Sequence, residues 1–226
     1  LELSAEQALL SALPSTPMVT GQGGQVSLVA GGLGLSLSAD ATPTVLAHVH
    51  QDAQIVSVDD LEVKAEAENR PSAEDRSFQV GGLFSAGESR SNIQLGGQVA
   101  SQLKGTVGTV HDVSITALAQ SFAQANSSAS SVGGAASSRG GFSRVDIHPL
   151  IAVTLESDLD ATGNIELIGS SLADGQATTE GVSVTGLVGA GETSAVARVR
   201  PVVETTIAPR VNLQADGRID VKSSHN

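Results

Sequence analysis

Two closely spaced histidines are one candidate for binding a metal ion. His48 and His50 stand two apart in a segment that alternates apolar and polar residues. A β-strand over this segment would place both imidazoles on one face, where they could hold a metal at the strand edge. No third ligand is evident in the sequence. We therefore interpret the pair as exposed histidines and keep a metal site as the alternative.

A second candidate for metal binding contains carboxylates. Asp158, Asp160 and Asn164 resemble the beginning of a calcium-binding loop. The glycine at the sixth position and the distal glutamate of an EF-hand are missing, however. The segment GGLGLSLSAD also lacks the repeated aspartates of calcium-binding β-rolls. We predict no cofactor and keep a calcium ion at a corner of the fold as the alternative.

Cations gather near the end of an otherwise acidic chain. The net charge is −12, from 24 acidic and 12 basic residues, which argues against nucleic acid or an anionic membrane surface as partner. Four arginines lie in the last part of the sequence: Arg198, Arg200, Arg210 and Arg218. Arg198 and Arg200 form a candidate patch for an acidic glycan or a neighbouring subunit. A solvated strand face is the alternative interpretation.

Composition argues against catalysis and membrane insertion. A polysaccharide lyase would need clustered carboxylates or basic residues and usually aromatic residues to stack sugars. Here Trp and Tyr are absent, and acidic residues are spread along the chain. Cysteine is absent too, which excludes disulfides and thiolate metal sites. No run of roughly 18 apolar residues is present. We predict a protein that is not an enzyme and does not insert into a membrane.

The elements that position these side chains repeat along the chain. The phrase LEVKAEA from Leu61 has four approximate copies, LELSAEQ from Leu1, VSITALA from Val113, IELIGSS from Ile165 and IDVKSSH from Ile219. These starts divide the chain into repeats 1–60, 61–112, 113–164 and 165–218, with a fifth beginning at 219–226. The chain begins and ends inside this pattern. We therefore predict one continuous segment, 1–226, of a longer array.

Equivalent positions of the repeats form columns of similar residues. The first column is apolar, Leu61, Val113, Ile165 and Ile219, and so is the column two residues later, Val63, Ile115, Leu167 and Val221. Residues between them are mostly polar. This period of two predicts strands with one buried face, stacked so that each copy pairs with the next. The sequence therefore predicts an all-β fold, a parallel β-solenoid (β-helix) of about four repeats of 52 to 60 residues.

Three details refine this prediction. One wide coil per repeat is favoured over two coils of about 26 residues, because LEVKAEAENR has no counterpart near Gly87. Gly82, Gly134 and Gly186 recur at the same position, so the Ser/Gly-rich middle of the third repeat is interpreted as part of a glycine column. Leu9, Leu10 and Leu13 have helical spacing, and we interpret them as a short turn or an apolar corner that Pro14 and Pro17 end.

Four stretches of the sequence resemble those of one class of proteins. They are DGRIDVKSS, ATGNIELIGSS, VDDLEVKAEAE and GLVGAG, the last from Gly186 to Gly191. The chain resembles the giant repetitive exoproteins of bacteria, the filamentous-haemagglutinin and leukotoxin-like filamentous adhesins. That resemblance implies an extracellular, cell-surface structural protein, a stalk or filament segment in cell adhesion or biofilm. Its partners would be flanking repeats or other copies, end to end. The alternative is a module that binds glycan or protein through its solvent-facing strands.

Overall fold

The protein is described here by a computed structural model, which covers residues 2–10 and 18–226. These residues form seventeen β-strands and no helix, so the prediction of an all-β fold is confirmed. Leu9 and Leu10 lie in the first strand, β1 (Glu2–Leu10), and not in a turn or corner as predicted. Leu13, Pro14 and Pro17 lie outside the described residues.

Three parallel sheets contain all the strands. The first sheet comprises β1, β2 (Met18–Ser27), β5 (Gln54–Asn69), β6 (Ser72–Gly81), β9 (Thr106–Gly133), β12 (Leu159–Ala161), β13 (Ile165–Thr185), β16 (Leu213–Ala215) and β17 (Ile219–His225). The second comprises β3 (Ala30–Ala41), β7 (Phe84–Leu95), β10 (Ala136–Ile147) and β14 (Val188–Val199). The third comprises β4 (Thr44–Val49), β8 (Gln98–Leu103), β11 (Leu150–Leu155) and β15 (Val202–Ile207).

Paired strands are one sequence repeat apart in every sheet. Leu61 pairs with Val113, Val113 with Ile165, and Ile165 with Ile219. The interval is 52 residues between the middle repeats, and it is 54 both from β2, β3 and β4 to the strands above them and at the last step, as between Asp158 and Asn212. No described strand pairs with one about 26 residues away. The apolar residues of these columns are buried as far as Leu167, whereas Ile219 and Val221 are exposed because no described strand lies beyond β17.

The first interval differs from the sequence-based alignment. That alignment places Leu1 with Leu61, 60 residues apart, but in the structure Ala8 is the residue paired with Leu61. Strand β1 also contains a register shift between Leu3 and Ser4. The repeat boundary predicted from LELSAEQ is therefore wrong. A similar alternation of apolar and polar residues does not determine which residues of two strands pair, because a strand shifted by an even number of residues can bury an equally apolar face.

The core lies between facing sheets, and its chemistry changes along their width. Where β5, β9 and β13 face the third sheet, the interior is filled by Val, Leu, Ile and Ala side chains. A smaller apolar cluster around Ile93 and Ile147 lies next to it. Where β6 and β9 face β7 and β10, the buried residues are mainly small and polar: Asp75, Ser77, Gln79, Ser85, Ser89, Ser127 and Ser131.

Serine hydroxyls join the facing layers through hydrogen bonds. Ser91 donates to the carbonyl of Asn126 at 2.7 Å, and Ser143, its neighbour in the next repeat, donates to the carbonyl of Thr178 at 2.6 Å. Each bond reaches from the second sheet to a strand of the first sheet one repeat later. The two layers are therefore held in register as well as packed.

The turns that connect the first sheet to the second hold a column of glycines. The N–H of Gly134 donates to the carbonyl of Gly82 at 3.2 Å. A Cβ atom at Gly134 would clash with that carbonyl oxygen, and a Cβ atom at Gly186 would meet the carbonyl of Gly134 in the same way. Glycine is required at these positions because successive backbones come too close for a side chain.

Candidate functional site

Arginines gather on the outer face of the second sheet. Alternate residues of β7, β10 and β14 point inward and are buried where the stack covers them, as Ser91, Ser143 and Val145 are. Their neighbours point to solvent. Parallel pairing therefore sets Arg90 beside Phe142, and Asp146 beside Arg198.

These outward residues line a shallow groove of about 390 Å³. Its charged and aromatic lining consists of Arg90, Phe142, Arg144 and Arg198, and its polar lining includes Ser36, Asn92 and Ser194. The guanidinium of Arg90 lies over the Phe142 ring, 5.1 Å from its centroid. A guanidinium near an aromatic face contributes a cation–π attraction and holds the arginine over the groove.

Asp146 is the anion at one end of this groove. It accepts hydrogen bonds from Arg144 Nη2 at 3.1 Å and from Arg200 Nη2 at 3.2 Å, and its side chain is only 13% exposed. Partial burial acts to raise the pKa of Asp146, but the hydrogen bonds and charges of the two arginines outweigh burial and hold that pKa below its ordinary value. Asp146 therefore stays ionised and positions both arginines.

The two arginines of the predicted patch have different environments. Arg200 is paired with Asp146, whereas no ion pair among the described residues includes Arg198. Arg218, at the opposite edge of the molecule, pairs with Asp220 and Glu166. Arg210 has a φ of 75° in the turn between β15 and β16. The structure thus brings Arg198 together with Arg90 and Arg144, which the sequence did not indicate.

The histidine pair lies at the end of β4. The rings of His48 and His50 are 6.4 Å apart, with an interplanar angle of 65°. His50 Nδ1 is 3.2 Å from a carboxylate oxygen of Asp52, in a turn closed by a hydrogen bond from Ala53 N to His50 O. Within the described residues, no three His, Asp or Glu side chains form a group suited to a metal ion.

The aspartates of the calcium-like segment lie at a corner between β11 and β13. Asp158 Oδ1 accepts a hydrogen bond from the N–H of Asn212 at 2.7 Å. Asp160 is exposed on β12, beside Gln214. Asn164 donates hydrogen bonds to Asp112, one repeat earlier. Among the described residues, no hydrogen bond joins Asn164 to Asp158 or Asp160. The two bonded side chains, Asp158 and Asn164, join successive repeats.

Sequence reasoning missed a buried carboxylate. Residues 72–81 form β6, and the Asp75 side chain points between the sheets. Burial raises the pKa of Asp75, against the lowering effect of the nearby Ser89 hydroxyl and of the Arg90 N–H, which donates to Asp75 Oδ2 at 3.0 Å. The signal was present, because Asp75 continues the inward series of Ala73, Ser77 and Gln79 at a period of two.

Comparison of the chain with protein-family models, curated proteins and solved structures finds no match. Among the described residues, no helix is long and apolar enough to cross a membrane.

Proposed function

We propose that this chain is a parallel β-solenoid with one wide coil per repeat, and that it serves as a non-catalytic structural stalk or filament segment. The observation that carries the proposal is the strand register. All three sheets pair residues one repeat apart, from β5 to β17, so that every part of a repeat contacts the same part of the next. Such an array transmits load through backbone hydrogen bonds and grows by adding repeats.

The setting follows from the resemblance to filamentous bacterial adhesins. We place the segment in an extracellular, cell-surface fibre that supports adhesion or biofilm. In that setting the exposed last strands, with Ile219 and Val221, would be covered by a flanking repeat or another copy, end to end. Electron microscopy tests this: fibres with a regular axial repeat support end-to-end assembly, and isolated short rods support one long chain.

A duplication experiment tests the architecture itself. A second copy of residues 113–164 is inserted after Asn164. In a solenoid the longer chain folds and its stack grows in height by about 4.8 Å per inserted repeat, measured by small-angle scattering and cryo-electron microscopy. The control insert lacks Ala117, which reverses the inward and outward faces downstream in that strand. A duplicated chain that unfolds as readily as the control would refute the solenoid.

The groove on the second sheet supports a second candidate function, binding of an acidic glycan. The favouring observation is that Arg198 makes no ion pair with a described residue while it lines one groove with Arg90, Phe142 and Arg144. Arginine binds carboxylates through paired N–H donors, and a sugar ring can pack on the accessible part of the half-buried Phe142 ring. The ligand would be a carboxylated polysaccharide.

A glycan array that contains oligogalacturonates tests this candidate. Replacing both Arg144 and Arg198 by alanine should weaken binding about tenfold or more, which corresponds to the loss of one or two charge-assisted hydrogen bonds. Arg70→Ala is the matched control, because Arg70 covers Phe122 on another face, 4.6 Å from the ring centroid. Absence of binding to the array, or equal losses in both variants, would leave only the stalk function.

A further inference from the structure

One narrow edge of the molecule exposes large apolar side chains in the first, second and fourth repeats. It is formed by the turns that join β2 to β3, β6 to β7, β9 to β10 and β13 to β14, and we name it the tip edge. Leu28 is 92% exposed, Leu83 50% and Leu187 81%. Ala135 occupies the place of Leu83 and Leu187 in the third repeat, and Val29, 61% exposed, occupies it in the first.

Apolar residues continue from these turns onto both adjoining sheets. Phe84 and Val188 are exposed at the beginning of β7 and β14, on the side of the second sheet. Val182 and Val184 are exposed near the end of β13, on the side of the first sheet. The result is a band that runs along the stacking direction. Contiguous apolar surface of this kind normally marks an interaction site.

The tip edge is also free of charge. Residues 26–39, 77–87, 129–138 and 181–191 contain no Asp, Glu, Lys, Arg or His, although the chain carries a net charge of −12. The opposite edge is acidic, with Asp60 and Asp112 beside each other in successive repeats. Two copies of this chain therefore repel each other in most orientations, and they can approach most closely with the tip edges facing.

We infer that the tip edge is a lateral docking surface for the tip edge of a second copy of this chain. Both edges repeat at the spacing of paired strands, about 4.8 Å, so the apolar turns of one copy can fit between those of the other along the whole edge. A two-fold arrangement makes this contact self-complementary and closed. This docking depends only on the observed strand register, and it does not depend on the proposed stalk function.

A lipid bilayer is a less suitable occupant. Proteins that rest in the membrane interface usually place Trp, Tyr or cationic residues around the apolar surface. The sequence has no Trp and no Tyr, and the four tip segments contain no Lys or Arg. Lateral pairing also differs from end-to-end assembly, because the tip edge runs parallel to the stacking direction.

Single-cysteine variants test the inference directly, since the chain has no cysteine of its own. Ala135→Cys lies on the tip edge, and Ala152→Cys lies on the outer face of β11 with a similar, half-buried environment. A bismaleimide that spans neighbouring strands should link Ala135→Cys into dimers and leave Ala152→Cys monomeric. Equal linking of both variants, or none of either, would overturn the inference.

Solution measurements on the cysteine-free protein complete the test. Sedimentation should show a concentration-dependent dimer, and scattering should show that the dimension along the strands roughly doubles while the height of the stack stays unchanged. Leu83→Glu with Leu187→Glu should shift the dimerisation constant at least tenfold towards monomer, whereas Val202→Glu, a similarly exposed position on β15, should not. A dimer with a doubled stack height, or a monomer that binds phosphatidylcholine vesicles through Leu83 and Leu187, would refute lateral pairing.

Discussion

Asn164 donates two hydrogen bonds to the same oxygen of Asp112, from its backbone N–H at 2.6 Å and from its side-chain amide at 3.2 Å. The arrangement continues in the next repeat, where Asn164 Oδ1 accepts from the N–H of Arg218 at 3.0 Å. Short polar side chains thus satisfy backbone donors at a corner where the strands are interrupted. Each repeat is tied to the next at its turn as well as along its strands.

Replacing Asp112 by alanine should therefore destabilise the fold. Loss of the acceptor leaves the Asn164 N–H without its partner, and we expect the free energy of unfolding to fall by about 1 to 2 kcal/mol. Urea unfolding followed by circular dichroism measures the change. Asp112→Asn retains an acceptor and should lose much less. Equal losses in the two variants would contradict a role for this hydrogen bond.

Gly134→Ala should be more damaging. The added Cβ atom would clash with the carbonyl of Gly82, which is backbone and cannot move aside without opening the stack. We expect a loss of about 3 kcal/mol in the free energy of unfolding. Gly34→Ala is the control, because a Cβ atom at Gly34 meets nothing within 4 Å. Similar stability in the two variants would show that the turns can separate freely.

Asp75→Asn should stabilise the protein at neutral pH. Burial raises the folded-state pKa of Asp75, so the folded protein holds this proton to higher pH than the unfolded chain does. Its contribution to stability is complete below the unfolded pKa and is lost as the pH rises through the folded pKa. We expect Asn to remove this loss, visible as a higher Tm at pH 7 than wild type and a similar Tm at pH 3.

The control for that measurement is Asp160→Asn, an exposed carboxylate on β12. It should leave the Tm at pH 7 close to that of wild type, because substitutions at exposed positions of this kind change stability little. A lower Tm for Asp75→Asn at pH 7 would mean that the ionised carboxylate is needed to accept the hydrogen bond from the Arg90 N–H.

Asp146→Asn should have the opposite pH dependence. Arg144 and Arg200 hold the pKa of Asp146 below its ordinary value, so its stabilising contribution is present above the unfolded pKa, near 3.9, and is lost as the pH falls through the folded pKa. We expect a lower Tm than wild type at pH 6 and a smaller difference at pH 2. The same difference at both pH values would show that the loss comes from packing and not from charge.

The repeat spacing could be predicted from sequence because strand pairing leaves direct marks. Leu61, Val113 and Ile165 are apolar because each contributes to one buried column, and the regular interval gives the register. The phase of β1 could not be predicted, since an apolar and polar alternation like LELSAEQ fits several registers equally well. Asp75 was missed for a different reason. Carboxylates are seldom buried, so an acidic residue is normally assigned to the solvent face even where, like Asp75, it alternates with inward residues such as Ala73 and Ser77.

The arginine groove shows where sequence stops being informative about the site. Arg90, Arg144 and Arg198 are far apart in the chain, and only the parallel register of β7, β10 and β14 brings them onto one face. Arg198 and Arg200, in contrast, are close in sequence but have different partners. The charges around these arginines are therefore determined by residues on neighbouring strands and not by residues close in sequence.

The interval of 54 residues at the last step shows that a corner can take up extra residues. Residues 208–212, between β15 and β16, take up the two extra residues, and pairing on both sides remains in step. Insertions at this corner alter surface shape without changing which side chains meet inside. The surface of such an array can therefore change at its corners without any change in the number or the pairing of its strands.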